Sequence, residues 1–447
     1  MKTIQQGETM SPTRKERAPC ALAAASIRRN CNAILASVGG AMLVFFLRMA
    51  QAADTSYSWY NLTMLKMSSL VGISVLMALP LLASAQTSCF VTTNIPDIFF
   101  TNGELIFDQV NEGDWYVNDP ITEHYGPDHV RFAGKSAVRV LARRTAGIFP
   151  GLQNALQINV VQAKSASSND DDDHIEFPVE SPFIVPLLLG TPQAQAFTIS
   201  FQAASNIPGD FSFAIMDGRN TVSYVTTYTI PTPNQVYAFH ITVPPATMGV
   251  WQSAPATFGL KVLFDLGVGP HFTTSQTNSW QPIPRWKAPG TVSLTEHQGG
   301  VFYLGGLQTD VGTVAQPFRH IDYATQLKQV QRYFWKSLPQ GTKVGNGAGT
   351  AGAIQYITNT ATMNIGTGFP QKFPVEMAST PSAIATFNPV SQNALWYDAT
   401  QRADSGAASF SDLSSAGVTI LNPQTPSTQF GNLLQIQASA DARLGGR

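Results

Sequence analysis

Between residues 91 and 320 the chain is a succession of short runs rich in Val, Ile, Phe, Thr and Tyr. Turn residues (Gly, Pro, Asn, Asp) interrupt them at intervals of about ten residues, the signature of a β-sandwich or barrel. No helical pattern separates the runs, which argues against a parallel βαβ sheet. In Phe197-Thr198-Ile199-Ser200-Phe201 the apolar residues alternate, so Phe197, Ile199 and Phe201 can share a buried face. Phe211-Ser212-Phe213-Ala214-Ile215 repeats the pattern after a Pro208-Gly209 turn.

The pattern changes once, in residues 305–337. A strand end gives way to a Gly/Pro-punctuated connection at Gly312 and Pro317. Tyr323, Leu327, Val330 and Phe334 then recur at helical spacing. This segment is predicted to be an assembly helix whose apolar face docks on a sandwich or on the same helix of another subunit. Short β runs resume after a Gly-rich connection at 341–352. The predicted fold class is therefore all-β: two antiparallel β-sandwich, jelly-roll-like modules joined by a short helix and preceded by an apolar N-terminal segment. The expected boundaries are a leader at 1–88, a sandwich at 91–320, a connecting helix at 321–337 and a smaller sandwich at 338–447. The final strand-like stretch, 438–444, suits a sheet edge or pairing with a neighbouring chain.

Charged residues are only 12% of the chain, about half the usual fraction, and the formal net charge is −1. That balance gives no electrostatic basis for nucleic acid as a partner. Cys20, Cys31 and Cys89 all precede the β region, so no disulfide framework or thiolate metal site holds it. Two apolar runs, 33–47 and 70–82, lie in the leader. The first is short for a membrane span. The second, between Lys66 and Ala83-Ser84-Ala85, has the layout of a secretory signal starting at Met64 or Met67. It reads equally as an uncleaved apolar leader.

Candidate chemistry is sparse, and no cofactor is expected. Gly347, Gly349 and Gly352 match a dinucleotide fingerprint, but β-like sequence follows where a helix is required. Asp170, Asp171, Asp172 and Asp173 could supply oxygens to Ca²⁺; the competing reading is a solvated acidic loop. Most other acidic residues read as loop or edge positions. Neither a zinc-protease helix nor a nucleophile elbow is present, so the chain reads as non-enzymatic. Trp286, flanked by Arg285 and Lys287, is the preferred surface ring for stacking on a sugar, with Trp251 as a second candidate. The competing reading for both is core packing. Trp280 is expected to face the core.

Several stretches in order resemble virion proteins of tailed bacteriophages and prophages, of the tail-fibre-like or capsid-fibre-like kind. They are Asn102 to Gln109 (NGELIFDQ), the Pro127-Asp128-His129-Val130-Arg131-Phe132 segment, Ile175-Glu176, the run at 188–205, and the frame from Gly306-Leu307-Gln308 to Gln331-Arg332-Tyr333-Phe334. Phe373-Pro374-Val375-Glu376-Met377 extends the likeness toward the C-terminus. Thr309-Asp310, Val330 and His129-Val130 depart from the residues usual there. The resemblance implies a carbohydrate-binding-module-like sandwich in a structural virion protein, self-associated as a homotrimer. It also implies other virion proteins as neighbours and a host-surface glycan as ligand. Localisation in the virion is then expected. The signal-like segment 64–85 favours instead a secreted or cell-surface bacterial carbohydrate-binding protein.

Overall fold

The computed structural model describes residues 100–445 except 115, 119–123, 135–137, 252–253, 359–366 and 423–430. The cysteines, both apolar leader segments and the signal-like stretch lie outside the described residues. Among the described residues no helix is long and apolar enough to cross a membrane.

The first sandwich uses β1 (Tyr116–Asn118), β2 (His124–Tyr125), β3 (Arg131–Ala133), β4 (Arg139–Ala146), β5 (Asn154–Gln162) and β6 (Asp172–Glu180), followed by a one-turn helix α1 (Ser181–Ile184). It continues with β7 (Phe197–Ser205), β8 (Gly209–Asp217), β9 (Ser223–Ile230), β10 (Tyr237–Val243), β11 (Phe258–Val268), β12 (Trp280–Gln281) and β13 (Val301–Val311). Sheet A runs β1-β4-β5-β13-β7-β10 and sheet B runs β12-β9-β8-β11-β6-β3-β2. Every strand pair is antiparallel. The alternating apolar residues meet between the sheets: Phe201 stacks on Phe213 at 5.8 Å, and Phe264 meets Phe201 edge-on at 5.0 Å. The chain is thus an all-β sandwich protein, built as two-period alternation dictates.

In the middle of sheet A, β13 pairs with β5 and then β7, with a register break between Gly305 and Gln308. Glycine is required there. Gly306 has φ +66°, and a Cβ on it would stand 2.7 Å from Leu152. The break lets Phe149 and Leu152, in the β4–β5 turn, lie on the outside of sheet A against Ala155 and Ala204.

The second β unit begins earlier than the sequence pattern suggests. The helix α2 spans Tyr323–Gln331, capped by Asp322, whose carboxylate accepts from Thr325 N at 3.0 Å. Phe334 is not on it: the chain turns at Arg332 and Tyr333, and Phe334–Lys336 is strand β14. Tyr323 is 53% exposed, and the helix instead buries Gln326 and Val330, with Leu327 half-buried. Gln326 Nε2 donates to Glu104 at 2.7 Å, so this side of the helix docks inside its own chain.

The unit continues with β15 (Ile354–Ile357), β16 (Thr367–Lys372), β17 (Ala383–Phe387), β18 (Leu395–Asp398), β19 (Ala403–Ala407), β20 (Ser409–Ser414), β21 (Gly417–Asn422) and β22 (Leu433–Asp441). The last strand is not an edge. It pairs with β14 and β15 and with β17 and β18, making it the hub of its sheet. The smaller sheet β16-β21-β20 contributes Val418 and Ile420 to a core shared with Trp396, Leu434 and Ile436.

The described residues belong to one compact unit, and a polar seam ties its two cores together. Buried Glu180 accepts from Arg332 Nη2 at 2.8 Å, Arg332 Nε at 3.0 Å and the Tyr333 hydroxyl at 2.6 Å. Lys336 donates to Gln109 O at 2.8 Å and pairs with Glu112. Tyr125 OH donates to Leu444 O at 2.6 Å. Beside them Asp128 is wholly buried, and burial, reinforced by the Asp108 charge, raises its pKa to about 7. Burial lowers the neighbouring His129 to about 4, with its ring 4.3 Å from that of Tyr333. Acidic residues expected in loops are therefore often interior, among them Glu104, Asp128, Glu176, Glu180, Asp310 and Asp441. For Glu104, Glu176 and Glu180 the partners come from distant parts of the chain, whereas Asp441 pairs with nearby Arg443 and Asp310 with Arg319.

Candidate functional site

The two sheets turn very different outer faces outward. That of sheet B is roofed. Trp286 is 8% exposed and stacks on Phe272 at 4.1 Å, over Ala214, Met216, Val225 and Leu263. The expectation of a surface sugar platform at Trp286 is thus corrected: the ring is the centre of a small second core. Its flanking Lys287 does not mark solvent either. The ammonium pairs with buried Asp265 at 3.1 Å and donates to Ser293 at 2.6 Å. Arg285 is half-buried, with Nη1 on Pro284 O at 2.9 Å. Toward β3, Glu176 sits between Arg131 and Lys261, and both cations also lie over the Phe258 ring.

The acidic run at the start of β6 belongs to this layer. Lys164 Nζ donates to Asp171 Oδ2 at 2.9 Å, Asp173 Oδ2 at 2.7 Å and Gly267 O at 2.6 Å. Asp170 is exposed and meets His271 at 2.7 Å, while Asp172 is half-buried. The run is neither a solvated loop nor a gathered cation site, because an internal ammonium neutralises its two buried members. Among the described residues no group of three or more His, Cys, Asp or Glu side chains could hold a metal ion.

Among the described residues sheet A's outer face is covered by the Phe149 and Leu152 ridge with Phe318, and by the segment Gln316 to Arg319, which bonds Gln308 and Asp310, while the part around Asn159 and Tyr303 is only half-buried. Strand alternation turns Arg143 (β4), Gln157 and Asn159 (β5), Tyr303 (β13) and Gln202 (β7) outward. The register places Arg143 opposite Gln157, Gln157 opposite Tyr303, and Tyr303 opposite Ala204. Arg143 Nε donates to Gln157 Oε1 at 3.2 Å, and Gln157 Nε2 donates to Asn159 Oδ1 at 3.1 Å. The Tyr303 ring is half-buried against the ridge. Farther along the face, Ser200 Oγ meets His240 Nδ1 at 2.8 Å. Asp310 also lies on this face, but Arg319 Nη1 holds it at 2.9 Å and Gln316 N at 2.9 Å.

This row is a chain of amide and guanidinium groups ending at an aromatic ring. Amides offer both donors and acceptors, which suits vicinal hydroxyls, and a half-exposed tyrosine offers a flat apolar surface with a polar rim. The arrangement is suited to holding a polyhydroxylated molecule.

The other sequence candidates lie elsewhere. Trp251 is in the β10–β11 loop, half-buried, perpendicular to Trp280 at 5.6 Å, with Nε1 donating to Met248 O at 2.9 Å. Trp280 is buried, and its Nε1 donates to Pro244 O at 2.8 Å. The Gly347 to Gly352 loop leads into β15, and Gly349 O and Ala351 O both accept from Gln437 Nε2. Sequence reasoning missed Arg143, Gln157, Asn159 and Tyr303. The available signal was the run Gln157-Ile158-Asn159-Val160, in which amides rather than charges fill the outward positions of a strand.

No protein-family model matches the chain, and no curated protein matches it. Solved structures similar to it include the family 11 carbohydrate-binding module from Clostridium thermocellum in complex with a β-1,3-1,4-mixed-linked tetrasaccharide. That match has 11% identity and a TM-score of 0.24, and covers 45% of this chain and 98% of that one. The CBM22-1 xylan-binding domain of Paenibacillus barcinonensis Xyn10C is similar at 9% identity and a TM-score of 0.22, covering 46% and 99%. A structure described as "CBM4 structure and function" is similar at 10% identity and 0.24, covering 42% and 96%. Likeness of this degree carries no argument about what the present chain binds.

Proposed function

We propose that this chain is a non-catalytic adhesive protein that binds a glycan on the outer face of sheet A. The observation that supports the reading is the row of half-buried Arg143, Asn159 and Tyr303, linked through the buried amide of Gln157, in contrast to the small closed core around Trp286 on sheet B. Binding would be reversible, through amide hydrogen bonds and ring stacking, and several copies acting together would supply avidity. The resemblance of residues 102–337 to virion proteins supports placing it in a fibre or appendage of a tailed-phage or prophage particle, in contact with other virion proteins and a host-surface glycan. The layout of residues 64–85 supports a second setting, a secreted bacterial surface protein with the same binding face.

A glycan array probed with the full chain tests the binding. The expected result is retention of a defined set of neutral oligosaccharides, lost in the Asn159→Ala/Tyr303→Ala variant. Signal that is absent, or unchanged in the variant, contradicts the reading. N-terminal sequencing of the native product separates the two settings: a start near Gln86 in an exported protein favours the secreted one.

A further inference from the structure

The first sandwich has four sheet edges, and three are blunt: β1 has three residues, and β2 and β12 have two each. The fourth, β10, has seven, Tyr237–Val243, paired to β7 along its whole length without a register break. Among the described residues no strand lies on its other side. Edge strands are ordinarily protected by shortness, charge, proline or a bulge. Tyr-Ala-Phe-His-Ile-Thr-Val has no Lys, Arg, Asp, Glu or Pro, and its aromatic and β-branched residues favour strand pairing. Its inward side chains are incompletely covered: Tyr237, Phe239 and Ile241 pack on the core but stay half-buried, because the opposite sheet ends at the short β12.

We infer that β10 pairs antiparallel with β10 of a second copy of this chain about a two-fold axis at His240. The strand is its own complement. Exposed Ala238, His240 and Thr242 alternate with half-buried Tyr237, Phe239 and Ile241, symmetrically about the middle residue. Pairing about His240 sets Ala238 opposite Thr242, Phe239 opposite Ile241 and Tyr237 opposite Val243, so like faces like on every rung. A one-residue slip would set core side chains beside solvent-facing ones. The strand has no formally charged Lys, Arg, Asp or Glu to repel its copy, and the isologous contact closes on itself. Two six-stranded sheets become one continuous sheet, and their outer faces form one surface. The inference stands on the edge alone and does not depend on the glycan reading. A two-fold pair is also not the trimer that the virion resemblance implies.

Size-exclusion chromatography with light scattering on the full chain tests it. The wild type is expected at twice the mass of one chain. Ala238→Lys/Thr242→Lys sets lysine against lysine on two rungs and should give the single-chain mass, with dimer affinity reduced at least tenfold. Ala238→Lys/Thr242→Glu sets lysine against glutamate on the same rungs and should stay paired. Both positions are exposed, so circular dichroism should show both variants folded like the wild type. A wild type of one-chain or three-chain mass overturns the inference, as do two folded variants of equal mass.

Discussion

The outer faces of sheets A and B are made from strands of one sandwich, yet they differ in how far their polar groups are tied up within the fold. On sheet B, polar and aromatic groups are consumed internally: Trp286 by Phe272, Lys287 by Asp265, Lys164 by Asp171 and Asp173, Glu176 by Arg131 and Lys261. On sheet A, Asn159 and Tyr303 are only half-buried, Asn159 accepting from the buried Gln157 amide and the Tyr303 ring packing on the ridge. The difference shows that an aromatic ring beside basic residues marks a binding surface only when its neighbours lack buried carboxylates to satisfy. Charges and rings on sheet B are used within the fold, whereas Asn159 and Tyr303 on sheet A keep accessible surface, the feature on which the proposed binding face rests.

The contrast would break first at Lys164. Lys164→Met leaves Asp171 and Asp173 buried without their cation and is expected to cost about 3–5 kcal/mol in urea unfolding. A cost near zero would mean that water, not the ammonium, neutralises them.

Asp128, in the seam beneath the sandwich, sharpens the same point through pH. Its folded pKa, about 7, lies above its ordinary 3.8, so the folded state holds the proton longer and stability falls as pH rises between those values. His129 has the opposite sign. Its folded pKa, about 4, lies below 6.5, so it adds stability as pH rises from 4 to 6.5. Asp128→Asn removes only the first effect. The variant should gain on the wild type by up to about 4 kcal/mol between pH 4 and 7, read from paired denaturation curves. A pH-independent difference would place Asp128 in contact with water.

Trp286→Ala should cost about 3 kcal/mol, read as a lowered urea midpoint with unchanged slope, by removing the ring that closes the small core on sheet B. Stability unchanged within error would restore it as a surface ring. At the other extreme, Asn159→Ala on sheet A should change stability by no more than about 0.5 kcal/mol, which differential scanning calorimetry resolves.

Much of the sandwich was legible because two-period alternation survives any choice of partner: Phe197, Ile199 and Phe201 face inward whichever strand lies beside them. The pairing of charges was not legible, since Glu180 and Arg332 stand 152 residues apart and meet only when α2 folds back to β6. Phe334 was misplaced on the helix because Val330 to Phe334 keeps helical spacing by coincidence, across a turn stabilised by Tyr333 on Glu180. The role of β22 was hidden for a related reason. A strand's neighbours are a property of topology, and a C-terminal position says nothing about whether it is central. The candidate face was the least visible part, because its amides become a row only when β4, β5 and β13 come into register.

The most direct test of a binding face on sheet A and a structural face on sheet B is a calorimetric titration of one array-selected oligosaccharide into two folded variants, Tyr303→Ala and Trp286→Phe. Tyr303→Ala is expected to weaken binding at least tenfold with stability nearly unchanged, and Trp286→Phe to lower stability with affinity unchanged. Affinity lost in Trp286→Phe and kept in Tyr303→Ala would contradict the assignment of the two faces.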